Sequence, residues 1–164
     1  TGELVTHPCT ECKGVGRVQE FRKIKVKVPP GINTGMRLKL RGEGELSPNG
    51  GPPGDLYVDV YVEPHEYFDR EGDDVICRVP VSFVQASLGA KLEVPTIDGS
   101  EKVALGMGTQ PGNMLRLHGK GIPKLRGTGR GDQIIIFDVQ TPTNLSQKQK
   151  ELLREFAQIE NQSR

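Results

Sequence analysis

Apolar and polar residues alternate with a period of two along much of this chain. Ile24, Val26 and Val28 point one way, and Lys23, Lys25 and Lys27 point the other. Such alternation, rich in β-branched residues, predicts a half-buried strand with a solvated lysine face. Met36, Leu38 and Leu40 alternate with Arg37, Lys39 and Arg41 and predict a second strand. Leu56, Val58, Val60 and Val62 predict a third. Pro29-Pro30-Gly31 separates the first two as a turn, because Pro fixes φ and Gly permits positive φ. A Gly/Pro loop from Gly42 to Gly54 separates the last two. The three strands read as an antiparallel meander.

After a junction from Glu63 to Asp74, alternation resumes. Val75, Cys77, Val79 and Val81 predict a strand. Ser82 to Gly89 predicts a short helix with Ser82 as cap and Gly89 as stop. Lys91 to Pro95 is another strand, and Asp98-Gly99 marks a hairpin turn. Lys102–Leu105, Asn113–His118 and Gln133–Gln140 read as a second meander. The period then changes. Ser146 and Gln149 can form a capping box, and Leu152, Leu153, Phe156 and Ile159 make an apolar stripe at helical spacing. Lys148, Glu151, Arg154 and Glu155 oppose that stripe. This helix either packs on its own domain or docks on a partner chain.

The two halves repeat each other without a gap. Gly31, Gly35, Leu38, Leu40, Gly42 and Gly44 recur as Gly108, Gly112, Leu115, Leu117, Gly119 and Gly121. Gly54-Asp55 recurs as Gly131-Asp132, always at an offset of 77 (108 − 31, 132 − 55). Two copies are too few for a solenoid, so the repeat predicts two similar domains in tandem. At that offset, residues 72–98 should have counterparts up to position 21. That stretch holds Cys9-Thr10-Glu11-Cys12-Lys13-Gly14-Val15-Gly16 instead. The front of the first copy is therefore expected either to be missing or to lie upstream of a segment inserted between its strands.

Composition narrows the function classes. The 164 residues carry a net charge of +1, which gives no bulk electrostatic reason to bind nucleic acid or a membrane surface. No apolar run approaches the roughly 20 residues of a membrane span, and no signal peptide is visible. Three cysteines, an odd number, suit a reducing cytoplasmic setting better than a disulfide framework. Hydrophobic content is 34% with 21 Gly and no Trp, so the cores should be thin and the turns many.

Chemistry is sparse. Cys9 and Cys12 have the spacing of two zinc ligands, and Gly14 and Gly16 let the backbone turn beneath a metal. Structural zinc needs four ligands, and Cys77, in a strand, is a poor third. His7, beside Pro8, reads as a plain loop residue. A redox dithiol is the competing reading of the pair. His7, His65 and His118 are scattered and none sits beside a nucleophile motif, so no enzyme is expected. Gly127-Thr128-Gly129-Arg130-Gly131 leads into a strand, unlike a phosphate loop, which leads into a helix. Half-buried strands offer unpaired backbone and alternating pockets, the requirements for adding an extended peptide.

Several motifs in combination resemble a known family. They are Cys9-x-x-Cys12-x-Gly14-x-Gly16, Val28-Pro29-Pro30-Gly31 and Gly54-Asp55-Leu56-Tyr57-Val58. The run from Glu63-Pro64-His65 through Phe68-Asp69-Arg70 to Gly72-Asp73-Asp74 belongs with them, as do Gly119-Lys120-Gly121 and Gly129-x-Gly131-Asp132. The chain is similar over essentially its whole length to the C-terminal part of DnaJ-type (Hsp40) co-chaperones, bacterial ones above all. The resemblance implies a mainly β (all-β) fold of two tandem, similar β-sandwich-like domains with short helices and a C-terminal amphipathic helix. It divides the chain into the end of a zinc-binding module (1–20), the rest of a first domain (21–66), a second domain (67–141) and a dimerisation helix (142–164).

The same resemblance implies a non-catalytic module. It would bind exposed apolar segments of unfolded or misfolded client proteins, form a homodimer, and deliver clients to Hsp70 in the cytoplasm. Nucleic acid and membrane are not expected partners. The groove lining falls at Ile24 and Val58, and dimerisation at Leu152, Leu153, Phe156 and Ile159. Cys9 and Cys12 are half of a zinc site in the full-length family, and this chain alone is expected to hold no zinc. Stimulation of Hsp70 requires a J domain with His-Pro-Asp, and the nearest match here is His7-Pro8-Cys9. The alternatives are a thiol–disulfide oxidoreductase using Cys9 and Cys12, and a purely structural dimerisation module.

Overall fold

The computed structural model describes residues 10–12, 18, 20–47 and 50–162. The described residues form eight strands and two helices. In order these are β1 (Arg37–Leu40), β2 (Leu56–Asp59), β3 (Asp69–Glu71), β4 (Asp74–Ser82), α1 (Phe83–Leu88), β5 (Ala90–Thr96), β6 (Gly99–Leu105), β7 (Met114–Leu117), β8 (Gln133–Gln140) and α2 (Gln147–Gln162). The chain divides into two units, Thr1–Val28 with Leu38–Val58, and Pro29–Arg37 with Asp59–Arg164.

The first unit is built on the pairing of β1 with β2. Burial alternates along both strands, so Leu38, Leu40, Leu56 and Val58 are half-buried while Lys39 and Tyr57 are exposed. The Lys39 ammonium lies 2.7 Å from an Asp55 carboxylate oxygen and 5.7 Å from the centre of the Tyr57 ring.

The second unit holds a four-stranded sheet in the order β3-β4-β8-β7 and a separate β5–β6 hairpin. β4 and β8 are parallel, from Val75 opposite Gln133 to Ser82 opposite Gln140, and the other pairs are antiparallel. Cys77, Val81, Ile135 and Phe137 of the sheet pack with Val94, Val103 and Leu105 of the hairpin and Ala86 of α1. Sheet and hairpin thus form two layers around one apolar core. α1 is set by a reciprocal cap: Gln85 N–H donates to Ser82 Oγ at 3.1 Å and Ser82 N–H to Gln85 Oε1 at 2.9 Å. Gly89, at φ 77°, ends it.

The repeat is reproduced bond for bond. β1 superposes in sequence on β7, and β2 on the start of β8, at the offset of 77 (114 − 37, 133 − 56). Gly35 N–H donates to Val60 O at 2.9 Å, and Gly112 N–H to Phe137 O at 2.9 Å. Gly44 N–H donates to Gly54 O at 2.9 Å, and Gly121 N–H to Gly131 O at 2.8 Å.

Three strand expectations are corrected. The alternating segment at Ile24, Val26 and Val28 is not a paired strand. Its counterpart β6 pairs with β5, and the positions equivalent to β5, 13–19 (90 − 77, 96 − 77), lie almost wholly outside the described residues. Neither copy is a simple meander. β6 leaves β7 to close the hairpin with β5, while β8 takes β4 as a parallel neighbour. The junction also contains a strand, β3, too short and too polar to show a period.

Candidate functional site

The structure places Ile24 and Val58 in the first unit, and both are half-buried. Val58 lies on β2, on the apolar face it shares with Leu38, Leu40 and Leu56. Ile24 lies in the unpaired segment, so the two are not joined in one ladder.

The meaning of this face comes from its twin. The positions equivalent to Leu38, Leu40, Leu56 and Val58 are Leu115, Leu117, Gln133 and Ile135. Gln133 and Ile135 are 0% exposed, and Leu115 and Leu117 pack against the same core. What closes that core is the β5–β6 hairpin, through Val94, Val103 and Leu105. In the first copy Leu56 and Val58, the equivalents of the buried Gln133 and Ile135, are only half-buried. A half-open apolar face framed by a hydrogen-bonded ladder can accept apolar side chains from another polypeptide. Each one fully buried would contribute about 1.5–3 kcal/mol.

The frame of each copy is held by an aspartate. Gly42 N–H donates to Asp55 Oδ1 at 3.0 Å, and Gly119 N–H donates to Asp132 Oδ1 at 2.9 Å. A cation completes each site: Lys39 at Asp55, and Arg116 at 3.1 Å from Asp132. The Lys39 ammonium and then the Gly42 N–H hold the Asp55 carboxyl below the usual range. Asp55 in turn raises the Lys39 ammonium. At Asp132 the Gly119 N–H is the main cause of lowering, followed by Arg116. These pairs are exposed, so they fix geometry more than they add stability.

α2 carries the second predicted surface. Ser146 caps it as expected, accepting from Gln149 N–H at 3.3 Å while Ser146 N–H donates to Gln149 Oε1 at 2.8 Å. None of its residues is buried; Leu152, Phe156 and Ile159 are exposed and Leu153 is half-buried.

Cys9 lies outside the described residues, while Cys12 is half-buried in a turn spanning Thr10–Cys12. Cys77 cannot complete a metal site. It is buried in the core, where it accepts from Gln133 Nε2 at 3.3 Å, and burial pushes its thiol pKa up. Among the described residues no three His, Cys, Asp or Glu side chains gather where they could hold a metal. The described residues therefore fit at most part of a zinc site. Among them no helix is long and apolar enough to cross a membrane.

One residue with a central role was missed. Arg70 donates from Nη1 to Ile32 O, from Nη2 to Gly31 O and from Nε to Gly72 O, each at 2.8 Å. It ties the Pro29–Arg37 segment to β3. Its only sequence signal is membership of the junction run, which has no apolar period.

Comparison with known proteins gives one consistent result. The family described as "DnaJ C terminal domain" matches residues 5–142. The Chaperone protein DnaJ of Acetivibrio thermocellus is 50% identical over 158 residues, covering 96% of this chain and 41% of that protein. The protein of the same name from Parageobacillus thermoglucosidasius is 54% identical over 151 residues, covering 92% of this chain and 40% of its own. That of Halalkalibacterium halodurans is 51% identical over 159 residues, covering 97% and 43%. The chain thus spans about 40% of the length of these relatives.

Proposed function

Because the chain belongs to the DnaJ C terminal domain family, we propose that it is a non-catalytic chaperone module that captures exposed apolar segments of unfolded proteins. One observation carries the reading. Ile135 and Gln133 are fully buried in the second copy, while their equivalents Val58 and Leu56 are only half-buried in the first, beside Leu38 and Leu40, which are half-buried like their own equivalents Leu115 and Leu117. A surface of folded, hydrogen-bonded backbone with uncovered aliphatic side chains suits sequence-tolerant capture, because apolar burial is non-directional. Ile24, half-buried in the same unit, extends the candidate lining.

The rest of the reading concerns partners. α2 is the dimerising element, through Leu152, Leu153, Phe156 and Ile159. Cys9 and Cys12 supply two of the four thiolates of a zinc site in a longer chain. Delivery of the captured segment to Hsp70 belongs to the whole co-chaperone.

The test is fluorescence anisotropy of a labelled, apolar, unfolded peptide titrated with the protein and with Val58→Asp. Saturable binding that this substitution weakens is the expected result, since it places a charge on an apolar surface. Equal binding by a folded Val58→Asp protein would remove the groove from this face.

A further inference from the structure

A second opening lies wholly within the second unit. It is a cleft of about 910 Å³ whose apolar walls include Val62, Phe68, Ile97 and Ile122. That volume is within the range of ligand-binding clefts. The His65 ring, also in the wall, is tilted 44° to the Phe68 ring at 5.0 Å, and its Nδ1 accepts from Tyr67 N–H at 3.1 Å.

Charge and backbone give this cleft a direction. Its charged lining is Glu63, Asp69 and Arg70. Arg70 has its guanidinium engaged by three backbone carbonyls, whereas Glu63 and Asp69 are exposed and make no ion pair with any described residue. The rim therefore offers two unpaired carboxylates and no free guanidinium. Asp69 and Arg70 belong to β3, which among the described residues is the edge strand of the sheet and pairs with β4 alone. An edge strand leaves backbone donors and acceptors for an added extended segment.

We infer that this cleft is a peptide-binding site separate from the β1–β2 face, and that it takes an extended segment with an aliphatic side chain followed by Lys or Arg. The aliphatic group fills the space between Phe68 and Ile97, and the cation meets Glu63 and Asp69. The inference rests on the reading that the chain captures unfolded polypeptide. It adds a charge preference that the aliphatic face of β1–β2 does not supply.

The test uses two fluorescein-labelled decapeptides with a central Leu-Leu, one followed by Lys-Arg and one by Glu-Glu. Anisotropy should show the Lys-Arg probe binding about tenfold tighter. Glu63→Gln with Asp69→Asn should reduce that preference to about twofold or less. Ile97→Lys, in the exposed β5–β6 turn, should weaken the Lys-Arg probe about tenfold with an unchanged melting curve. Equal affinity for the two probes, or a preference that survives the double substitution, overturns the inference.

Val58→Asp separates the two sites. Loss of all peptide binding in Val58→Asp with none in Ile97→Lys leaves the proposed function standing and removes the cleft. The reverse pattern supports the cleft and removes the β1–β2 face. An Ile97→Lys protein that dimerises more weakly but binds both probes normally would assign the cleft to a second copy of the chain and overturn the inference.

Discussion

The Gly119 N–H donates to the Asp132 carboxylate at 2.9 Å, and the same bond joins Gly42 to Asp55 one repeat earlier at 3.0 Å. Asp132 also accepts from Arg116 at 3.1 Å, and its folded pKa is lowered by both donors. A carboxylate with a folded pKa below its unfolded value stabilises the fold above the unfolded value, about 3.9 for Asp. That contribution is lost as pH falls through the folded pKa. Asp132→Asn should therefore lower the urea midpoint at pH 7, and the gap from the parent should close below about pH 4. A gap that is constant from pH 7 to pH 2 would show that charge at Asp132 plays no part.

Two glycines close to this bond are required for different reasons. Gly119 has φ 68° with open space where a Cβ would stand. Gly121 has no room: a Cβ would lie 2.5 Å from Gly131 C and 2.7 Å from both Asp132 O and Asp73 O. Gly119→Ala should cost about 1–2 kcal/mol, the strain of a left-handed L-residue. Gly121→Ala must move backbone and should cost about 3 kcal/mol or more. Urea denaturation of the two variants gives the order directly, and a cheaper Gly121→Ala would refute the crowding argument.

The sequence disclosed the repeat because each of its marks has a separate physical cause. Gly42 and Gly119 permit a positive φ, Gly44 and Gly121 permit close approach, and Asp55 and Asp132 bind the turn N–H. Each falls on a fixed residue type at a fixed place in the unit, so both copies show them. The caps at Ser82 and Ser146 were legible for the same reason. Strand partnership was not. Ile24, Val26 and Val28 have the right alternation, yet pairing depends on a neighbour, which alternation alone does not reveal. Arg70 and the cleft beside it were hidden because they join positions up to 39 residues apart without any period.

Val58 and Ile135 hold the same place in the two copies, so they offer a controlled comparison of open and closed faces. Ile135 is 0% exposed, lies opposite Cys77 on the neighbouring strand and belongs to one core cluster with Val94. Ile135→Ala should cost about 2–5 kcal/mol. Val58→Ala, at a half-buried position, should cost about 1 kcal/mol and act mainly on peptide affinity. Thermal melts and anisotropy on both variants test this. A large loss of stability for Val58→Ala would mean that its face is sealed after all.

α2 makes the strongest case for a second copy of the chain. It is 16 residues long with no residue buried. Isolated helices of that length are marginal in water, so packing has to supply most of the stability. Phe156 is 55% exposed and Leu152 52%, one turn apart on the same stripe. Burying them against a second α2 or its domain would provide what the helix lacks. Phe156→Asp should raise the dissociation constant of the proposed dimer at least about tenfold, since aromatic anchors dominate such interfaces. Helicity at 222 nm should fall in the same variant at low protein concentration, because the cap at Ser146 alone cannot hold the helix. Sedimentation velocity reads the first effect and circular dichroism the second. A Phe156→Asp protein that keeps both its dimer and its helicity would move dimerisation to another surface.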